Sequence, residues 1–513
     1  MHSQLTDSVK IKQGMLTALL IALTVYLFGF GLSKNMPAIG LLIPLIGIVS
    51  VLLSHPAHLL ILLMFIQIGG FLVPGLPGAL SLARLLLFMM IGWSALDVAI
   101  RQQKSIFSYQ RDMDIWMWVF LLNIFLIMMV RGVGFRMMGG STYGGGAYIG
   151  FIAAILFYFA VVRIRLTDKH VKMLLFAMLF ASIIPMVAEV FVYFRPAQSW
   201  WITRFIHVGA NYSLGQKFIK GGIERWGSFS KLAYALIPFA YVFCRKQKTR
   251  TVLILLAIVL VGLTGFRSRI LRIGVLVFFT SMYYSKSRMK TFVMWGMIGF
   301  AGLAVLMVTA PLLPASIQRS ISFIPFLPVD ADIALKATGT STWRFDMWRD
   351  YCIPNVPKYL LVGRGFAHDI AGFAWLDESW YGTGEFYYFM GRYHSGPFSL
   401  LLDYGLLGTI SFSLFFVLVV RDGWQTVRRY AMNQDNLAAR YYVFLTILMT
   451  YNLLSFYLIF GDVDSQILEF LLIAAQMRIL KKNFLESSVE PGDSEISIPG
   501  NGESEVELSQ VIK

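Results

Sequence analysis

Residues 291–311 read TFVMWGMIGFAGLAVLMVTAP, a stretch without a single charged side chain. A run of this length covers the hydrocarbon core of a bilayer when it forms a helix. Comparable apolar stretches recur along the 513 residues of the chain, of which 57% are hydrophobic and only 14% are charged. Because backbone polar groups in lipid must be satisfied within the protein, these stretches are expected to be helices. The sequence therefore predicts an all-α, polytopic membrane protein.

Hydropathy indicates about 12–14 transmembrane helices, since several of the stretches are short for a bilayer. The spans are predicted at roughly 15–33, 37–53, 57–75, 80–100, 115–131, 147–165, 171–194, 230–245, 251–265, 270–284, 291–311, 397–420, 440–461 and 464–480. This order divides the chain into an N-terminus (1–14), spans 1–11 (15–311), one large loop (312–396), spans 12–14 (397–480) and an acidic tail (481–513). The composition of the tail is typical of disorder.

The formal net charge of +16 is explained mainly by the loops between the predicted spans. Every second loop is basic. The basic residues of these loops include Arg101, Lys104, Arg163, Arg165, Arg245, Lys246, Arg288, Lys290, Arg428 and Arg429. Basic loops mark the cytoplasmic side of membrane proteins. Both termini are therefore predicted to be cytoplasmic and the large loop extracytoplasmic, and the basic charge does not require a nucleic-acid partner. The two cysteines, Cys244 and Cys352, fall on opposite sides and are not expected to pair.

Four arginines run against this bias and lie at the predicted outer face: Arg225, Arg267, Arg269 and Arg272. Arg269 and Arg272 are three residues apart and share one helical face. Guanidinium groups bind phosphate oxygens in a bidentate manner, so these residues are candidates for a diphosphate site. The alternative is that they contact lipid headgroups or pair with acids such as Glu189 or Glu224.

A histidine stands at the outer end of the twelfth predicted span, in RYHSGPFSLLLDYGLLG (392–408). His394 is followed by Leu401, Gly405 and Gly408 in the spacing H-x6-L-x3-G-x2-G. An imidazole titrates near neutral pH, so His394 is a candidate general base. The alternative is a histidine that only caps the start of the helix.

The large loop contains further candidate contacts. Arg344 and Trp348 are separated by four residues, and Gly363-x-Gly365 follows. Aromatic side chains there could stack on sugars, or could anchor the loop at the membrane surface. We find no metal-binding motif or cofactor fingerprint in the sequence.

Taken in order, these segments resemble the O-antigen ligase and O-antigen polymerase superfamily of bacterial membrane glycosyltransferases, which have the GT-C type of fold. The resemblance rests on Arg225-x-Gly227, Ser268-Arg269, Arg344-x3-Trp348, Gly363-x-Gly365, and His394 with its leucine and glycines. The chain departs from the family in having Ser395 where an asparagine often follows the histidine. Either Arg267 or Arg269 could be the arginine of the second segment.

The resemblance implies a metal-independent, inverting enzyme of the bacterial cytoplasmic (inner) membrane that needs no cofactor. Its donor would be a glycan linked to undecaprenyl diphosphate, and its acceptor lipid A-core, another carrier-linked glycan or a different molecule. By analogy, Arg225 and Arg269 would hold the diphosphate and His394 would activate the acceptor hydroxyl. Fixed arginines stabilise the charge that develops on such a leaving group. The motifs do not distinguish a ligase from a polymerase.

A lipid-linked oligosaccharide flippase is the main alternative, since such transporters have a similar number of spans and use charged groups along their path. That alternative predicts functional charges at mid-membrane depth and is usually accompanied by an internal repeat, which we do not find here. A transferase predicts them together at the outer interface.

Overall fold

The structure is a computed structural model of the chain. It describes residues 56–71, 82–100, 109–134, 142–194, 201–206, 219–220, 223–224, 226–285, 287–324, 326–366, 368–369, 383–429 and 436–485, together with residue 18. The second predicted span, the first apart from residue 18, Arg225 and the greater part of the acidic tail lie outside the described residues.

Helices account for most of the described residues. The first group is α1 (Pro56–Gly69), α2 (Leu82–Ile100), α3 (Arg111–Arg131), α4 (Gly145–Val161), α5 (Asp168–Phe194), the short α6 (Ile202–Phe205), α7 (Phe229–Phe243), α8 (Gln247–Leu263), α9 (Arg267–Tyr284) and α10 (Arg288–Thr309). The second group is α11 (Ala315–Ile321), α12 (Ala331–Met347), α13 (Ile353–Tyr359), α14 (Gly384–Phe389), α15 (Gly396–Arg429), α16 (Leu437–Leu458) and α17 (Val463–Leu480).

Among the described residues, the only strands are four two-residue strands that form two pairs. Antiparallel pairing joins β1 (Thr142–Tyr143) to β4 (His368–Asp369), and β2 (Ile219–Lys220) to β3 (Ile223–Glu224). The architecture is therefore the predicted all-α one.

Six of the described helices are long and apolar enough to cross a membrane, namely α2, α3, α5, α10, α15 and α16. Three shorter apolar helices, α1, α4 and α7, accompany them. Every predicted span from the third onward overlaps a helix of the structure. The number that cross the membrane and the side on which each loop lies remain predictions.

The predicted large loop (312–396) contains short helices. They are α11 to α14, with a π-helical turn at Trp348–Cys352 that continues α12. Beneath them Met347, Cys352, Tyr393 and Leu402 form a small hydrophobic cluster of their own. This cluster fixes the loop helices to the start of α15, where His394 lies.

Helix α15 is interrupted at Gly405, which has φ 69° and ψ −172°. Two carbonyls that the break frees are bound by another segment, because Arg364 N–H donates to Leu402 O at 2.6 Å and Gly365 N–H donates to Asp403 O at 3.1 Å. The next freed carbonyl, that of Tyr404, accepts from Asn123 Nδ2 at 2.9 Å. The first part of α15 is thus held at an angle by residues 360–365 and by α3, so that buried backbone groups stay paired.

Candidate active site

His394 lies in the turn immediately before α15 and has a left-handed backbone, with φ 55°. Its ring is surrounded by three aromatic side chains, with ring centroids at 5.5 Å to Trp343, 5.4 Å to Tyr387 and 5.1 Å to Phe460. These neighbours come from α12, α14 and the turn between α16 and α17. The histidine is therefore held among residues from three other parts of the chain.

Close backbone packing brings the α16–α17 turn to the histidine. A side chain on Gly396 would overlap Phe456, and one on Gly461 would overlap both Phe456 and the backbone of Gly396. Ser399 Oγ also accepts from the backbone N–H of Val463 at 3.2 Å. These contacts place Phe460 beside His394.

The predicted loop contacts Arg344 and Trp348 both lie close to His394. Trp348 Nε1 donates to the carbonyl oxygen of Tyr393 at 2.8 Å and so fixes the backbone next to the histidine. The guanidinium of Arg344 lies 5.5 Å from the Trp343 ring centroid, and its Nε has no hydrogen-bond partner among the described residues. Burial lowers the pKa of Arg344, and repulsion from Arg267 lowers it further.

Burial, together with the positive charges of Arg344 and Arg392, lowers the pKa of His394 from 6.5 to about 4. The imidazole is therefore neutral at pH 7 and able to accept a proton. A bound diphosphate would raise this pKa, because a nearby negative charge favours the protonated ring.

Arg269 and Arg272 point into one cavity, as their spacing predicts. The cavity has a volume of about 550 Å³ and is lined by α1, α5, α7, α9, α16 and α17. Arg269 donates to the carbonyl oxygen of Gly227 and packs over the Phe266 ring at 4.3 Å. Arg272 donates to the carbonyl oxygen of Phe460, and its guanidinium lies 5.2 Å from the centroid of the Phe460 ring. Phe460 therefore contacts both Arg272 and His394.

Glu189 is one of the acids that we considered as partners for the outer arginines. Its carboxylate is fully buried and accepts from the backbone N–H groups of Gly227 and Ser228, both at 2.7 Å. Gly227 therefore links Glu189 to Arg269. Glu189 thus fixes the turn at Gly227, whose carbonyl oxygen accepts a hydrogen bond from Arg269, and Arg269 also lines the cavity.

Arg267 does not line this cavity, although it is only two residues from Arg269. It is close enough to Arg344 and Arg319 to repel both electrostatically. Helix geometry thus separates the candidate arginines, with Arg269 and Arg272 on the cavity side and Arg267 toward the loop helices.

Gly363 and Gly365, two of the predicted loop contacts, are next to α15. They lie against the break in α15, where a side chain on Gly363 would overlap the backbone of Asp403 and Tyr404. Between them, Arg364 forms an ion pair with Asp403 at 3.5 Å, and Tyr393 Oη donates to the same carboxylate at 2.8 Å. This buried network joins the glycine segment to the residue that precedes His394.

Several site residues were not predicted from the sequence. Lys231 and Glu469 line the cavity, and Trp343, Tyr387 and Phe460 surround His394. Lys231 lies in ERWGSFSKLAYAL (224–236), which also contains Arg225, and its position near the start of a predicted span was the only available signal. The aromatic residues carry no spacing that would distinguish them from membrane-interface anchors.

We find no group of His, Cys, Asp and Glu side chains suited to a metal ion among the described residues. Both cysteines are free, as expected.

Residues 252–413 match the family model described as O-antigen ligase. The match includes the cavity arginines, the loop helices and His394, and it confirms the resemblance to the O-antigen ligase and polymerase superfamily. No curated protein matches the chain.

Proposed function

We propose, from the match of residues 252–413 to the O-antigen ligase family, that this membrane protein transfers a glycan from an undecaprenyl-diphosphate carrier to an acceptor hydroxyl. The observation that carries the proposal is the arrangement Arg272–Phe460–His394, in which one aromatic ring contacts both a cavity arginine and the candidate base. A diphosphate leaving group and an attacking hydroxyl need such groups on opposite sides of the anomeric carbon.

The cavity supplies the positive charge. Lys231, Arg269 and Arg272 face it, and Arg272 Nε has no hydrogen-bond partner among the described residues. Guanidinium groups that are held in advance stabilise developing negative charge without reorganisation. Arg225 belongs to the same proposal through its motif, and Arg267 and Arg344 would contact the acceptor or the distal part of the glycan.

In the proposed reaction the acceptor oxygen forms a bond to the anomeric carbon while the bond from that carbon to the diphosphate oxygen breaks. The electron pair of the breaking bond stays on the diphosphate, which leaves as undecaprenyl diphosphate. The acceptor proton passes to the neutral imidazole of His394. Attack opposite the leaving group inverts the anomeric configuration. The arginines take the part that a metal ion plays in other transferases, so transfer should persist in EDTA.

The proposed site lies at one end of the helix bundle. Lys231, Arg269 and Glu469 stand near the starts of α7, α9 and α17, and His394 immediately precedes α15. We propose that this end faces the outside of the cytoplasmic membrane, with both termini in the cytoplasm. Charges at helix ends favour a transferase over a flippase, which requires them along a path through the membrane.

The test is transfer by the purified protein in liposomes, with an undecaprenyl-diphosphate-linked oligosaccharide as donor. Growth of carrier-linked chains without another acceptor would establish a polymerase. Transfer only after lipid A-core or another acceptor is added would establish a ligase. Movement of the donor between leaflets without any transfer would contradict the proposal and favour the flippase.

A further inference from the structure

Glu469 is a carboxylate in a cavity whose other charged groups include Lys231, Arg269 and Arg272. It lies in the second turn of α17, and its side chain is accessible through the cavity although the protein surrounds it. A carboxylate repels a diphosphate, so the charge of the proposed leaving group gives no reason for an acid in this place.

Lys231 and Arg272 attract the charge of Glu469, but neither forms a hydrogen bond or an ion pair with its carboxylate among the described residues. Lys231 Nζ donates to the carbonyl oxygen of Ile68 at 3.0 Å. Glu469 Oε1 accepts from Asn452 Nδ2 at 3.1 Å. The described residues provide its Oε2 with no hydrogen-bond donor, and Glu469 lines the cavity.

Further hydrogen-bonding groups lie on the same wall. Ser455 Oγ and Gln466 Oε1 line the cavity and are buried without a hydrogen-bond partner among the described residues. Buried polar atoms are rarely left unpaired, because each one costs about 1–3 kcal/mol. Four side chains of α16 and α17 thus bring hydrogen-bonding oxygens to a cavity that α7 and α9 line with cationic groups.

A sugar attached to a diphosphate matches both walls. Its hydroxyl groups donate hydrogen bonds that a carboxylate and an amide oxygen accept, while the phosphates face the guanidinium groups. The volume of about 550 Å³ is of the size that holds a small-molecule ligand, roughly 300–1,000 Å³, and exceeds the need of a diphosphate alone.

We propose that Glu469, with Asn452, Ser455 and Gln466, forms a subsite for the sugar directly attached to the diphosphate. The inference rests on the proposed function, since it takes the arginines of the same cavity as the diphosphate site. It adds a selection step, in which the protein distinguishes the loaded carrier from the bare carrier that is released after transfer.

The test compares the binding of two kinds of lipid to the full-length protein in detergent. One is undecaprenyl diphosphate, and the other is the same lipid carrying a single galactose or N-acetylglucosamine. Wild type should bind at least one of the sugar-linked lipids about tenfold more tightly than the bare lipid, as expected for a hydrogen bond to a charged group. Glu469→Ala should remove this difference without weakening the bare lipid, because the phosphate contacts persist and a repelling charge is lost.

Two further variants separate the subsite from a structural role. Glu469→Gln keeps the shape of the side chain and an acceptor oxygen, so it should retain part of the preference. Asp422→Ala removes an acid whose partner is Lys481, outside the cavity lining, and should leave both Kd values unchanged. Equal weakening of both lipids by Glu469→Ala, or no preference of wild type for either sugar, would overturn the subsite. Because binding is measured without transfer, a failure of the proposed reaction would be recognised separately.

Discussion

At His394 the chain adopts a backbone conformation that costs a non-glycine residue about 1 kcal/mol or more. The cost is offset by packing, since Trp343, Tyr387 and Phe460 surround the ring. The hydrogen bond from Trp348 to Tyr393 O holds the adjacent backbone. The side chain is therefore fixed before a substrate arrives, as a positioned base requires.

The depressed pKa of His394 predicts the pH dependence of transfer. Since kcat/KM reports on the free enzyme, its acid limb should follow the pKa of about 4 and not the ordinary 6.5. Activity should thus be retained as the pH falls through 6.5 and be lost only as the pH falls through about 4, where the imidazole becomes protonated.

Arg344→Gln provides the matched variant for this profile. It removes one of the positive charges that lower the pKa, so the limb should move toward higher pH. An acid limb near 6.5 in wild type would show that the histidine is solvated as in a surface loop. A limb that Arg344→Gln leaves in place would show that another group titrates.

Arg269 lies in the cavity wall and should bind the diphosphate through its planar fork. Arg269→Ala should lower kcat/KM for the donor by about tenfold to a thousandfold, and Arg269→Lys should restore only part of it, because lysine is a point charge. The measurement is initial-rate kinetics with the lipid-linked donor. Full recovery with lysine would mean that the residue contributes charge alone.

The sequence predicted the positions of some residues of this site but not of others. The common face of Arg269 and Arg272 follows from helical spacing. The positions of Lys231, Glu469 and Phe460 do not, because they depend on contacts between helices that are far apart in the chain.

Helix α15 shows how the glycines after the histidine act. Gly405 takes φ 69°, and an added Cβ would lie 2.8 Å from Leu361 O and 2.9 Å from the amide nitrogen of Gly363. Leu406 N–H donates to Leu360 O at 2.6 Å instead of to Leu402 within the helix. The break and the Gly363-x-Gly365 segment thus form one structural unit that sets the direction of the helix start.

Gly405→Ala should lower the free energy of unfolding by on the order of 2 kcal/mol, through both the backbone conformation and the steric overlap. Thermal unfolding in detergent would measure the change as a lower midpoint. Gly299→Ala in α10 is the matched control, since an added Cβ there meets no atom within 4 Å. Equal midpoints for the two variants would argue against the break as a required feature.

Hydropathy was sufficient to predict the helices from the third span onward, because continuous apolar runs have few other solutions in lipid. It overlooked the break at Gly405, whose cause lies in residues 360–365. It also ended the twelfth span at residue 420, whereas α15 continues to Arg429 with a basic last turn. Charge ended the predicted span, but the helix continues beyond the apolar run.

Across the whole molecule, the proposed site residues lie at one end of the bundle. Along the chain, the basic loops alternate with the loops at that end. If that end is extracytoplasmic, Asp332 at the start of α12 and Lys246 before α8 should be on opposite sides of the membrane; both are exposed.

Single cysteines at these positions, in a chain with Cys244 and Cys352 replaced by alanine, test this arrangement. Asp332→Cys should react with an impermeant maleimide in right-side-out vesicles, and Lys246→Cys only after permeabilisation. Labelling of both from the same side would contradict the predicted topology and with it the placement of the site.

The most direct test of the central claim is transfer from an undecaprenyl-diphosphate-linked glycan by purified wild type and His394→Ala, in EDTA and with binding of the donor measured in parallel. Wild type should transfer the glycan, and His394→Ala should be slower by about 10²–10⁴-fold, the usual contribution of a general base, with donor binding largely retained. Transfer by His394→Ala at a rate near that of wild type would contradict the account.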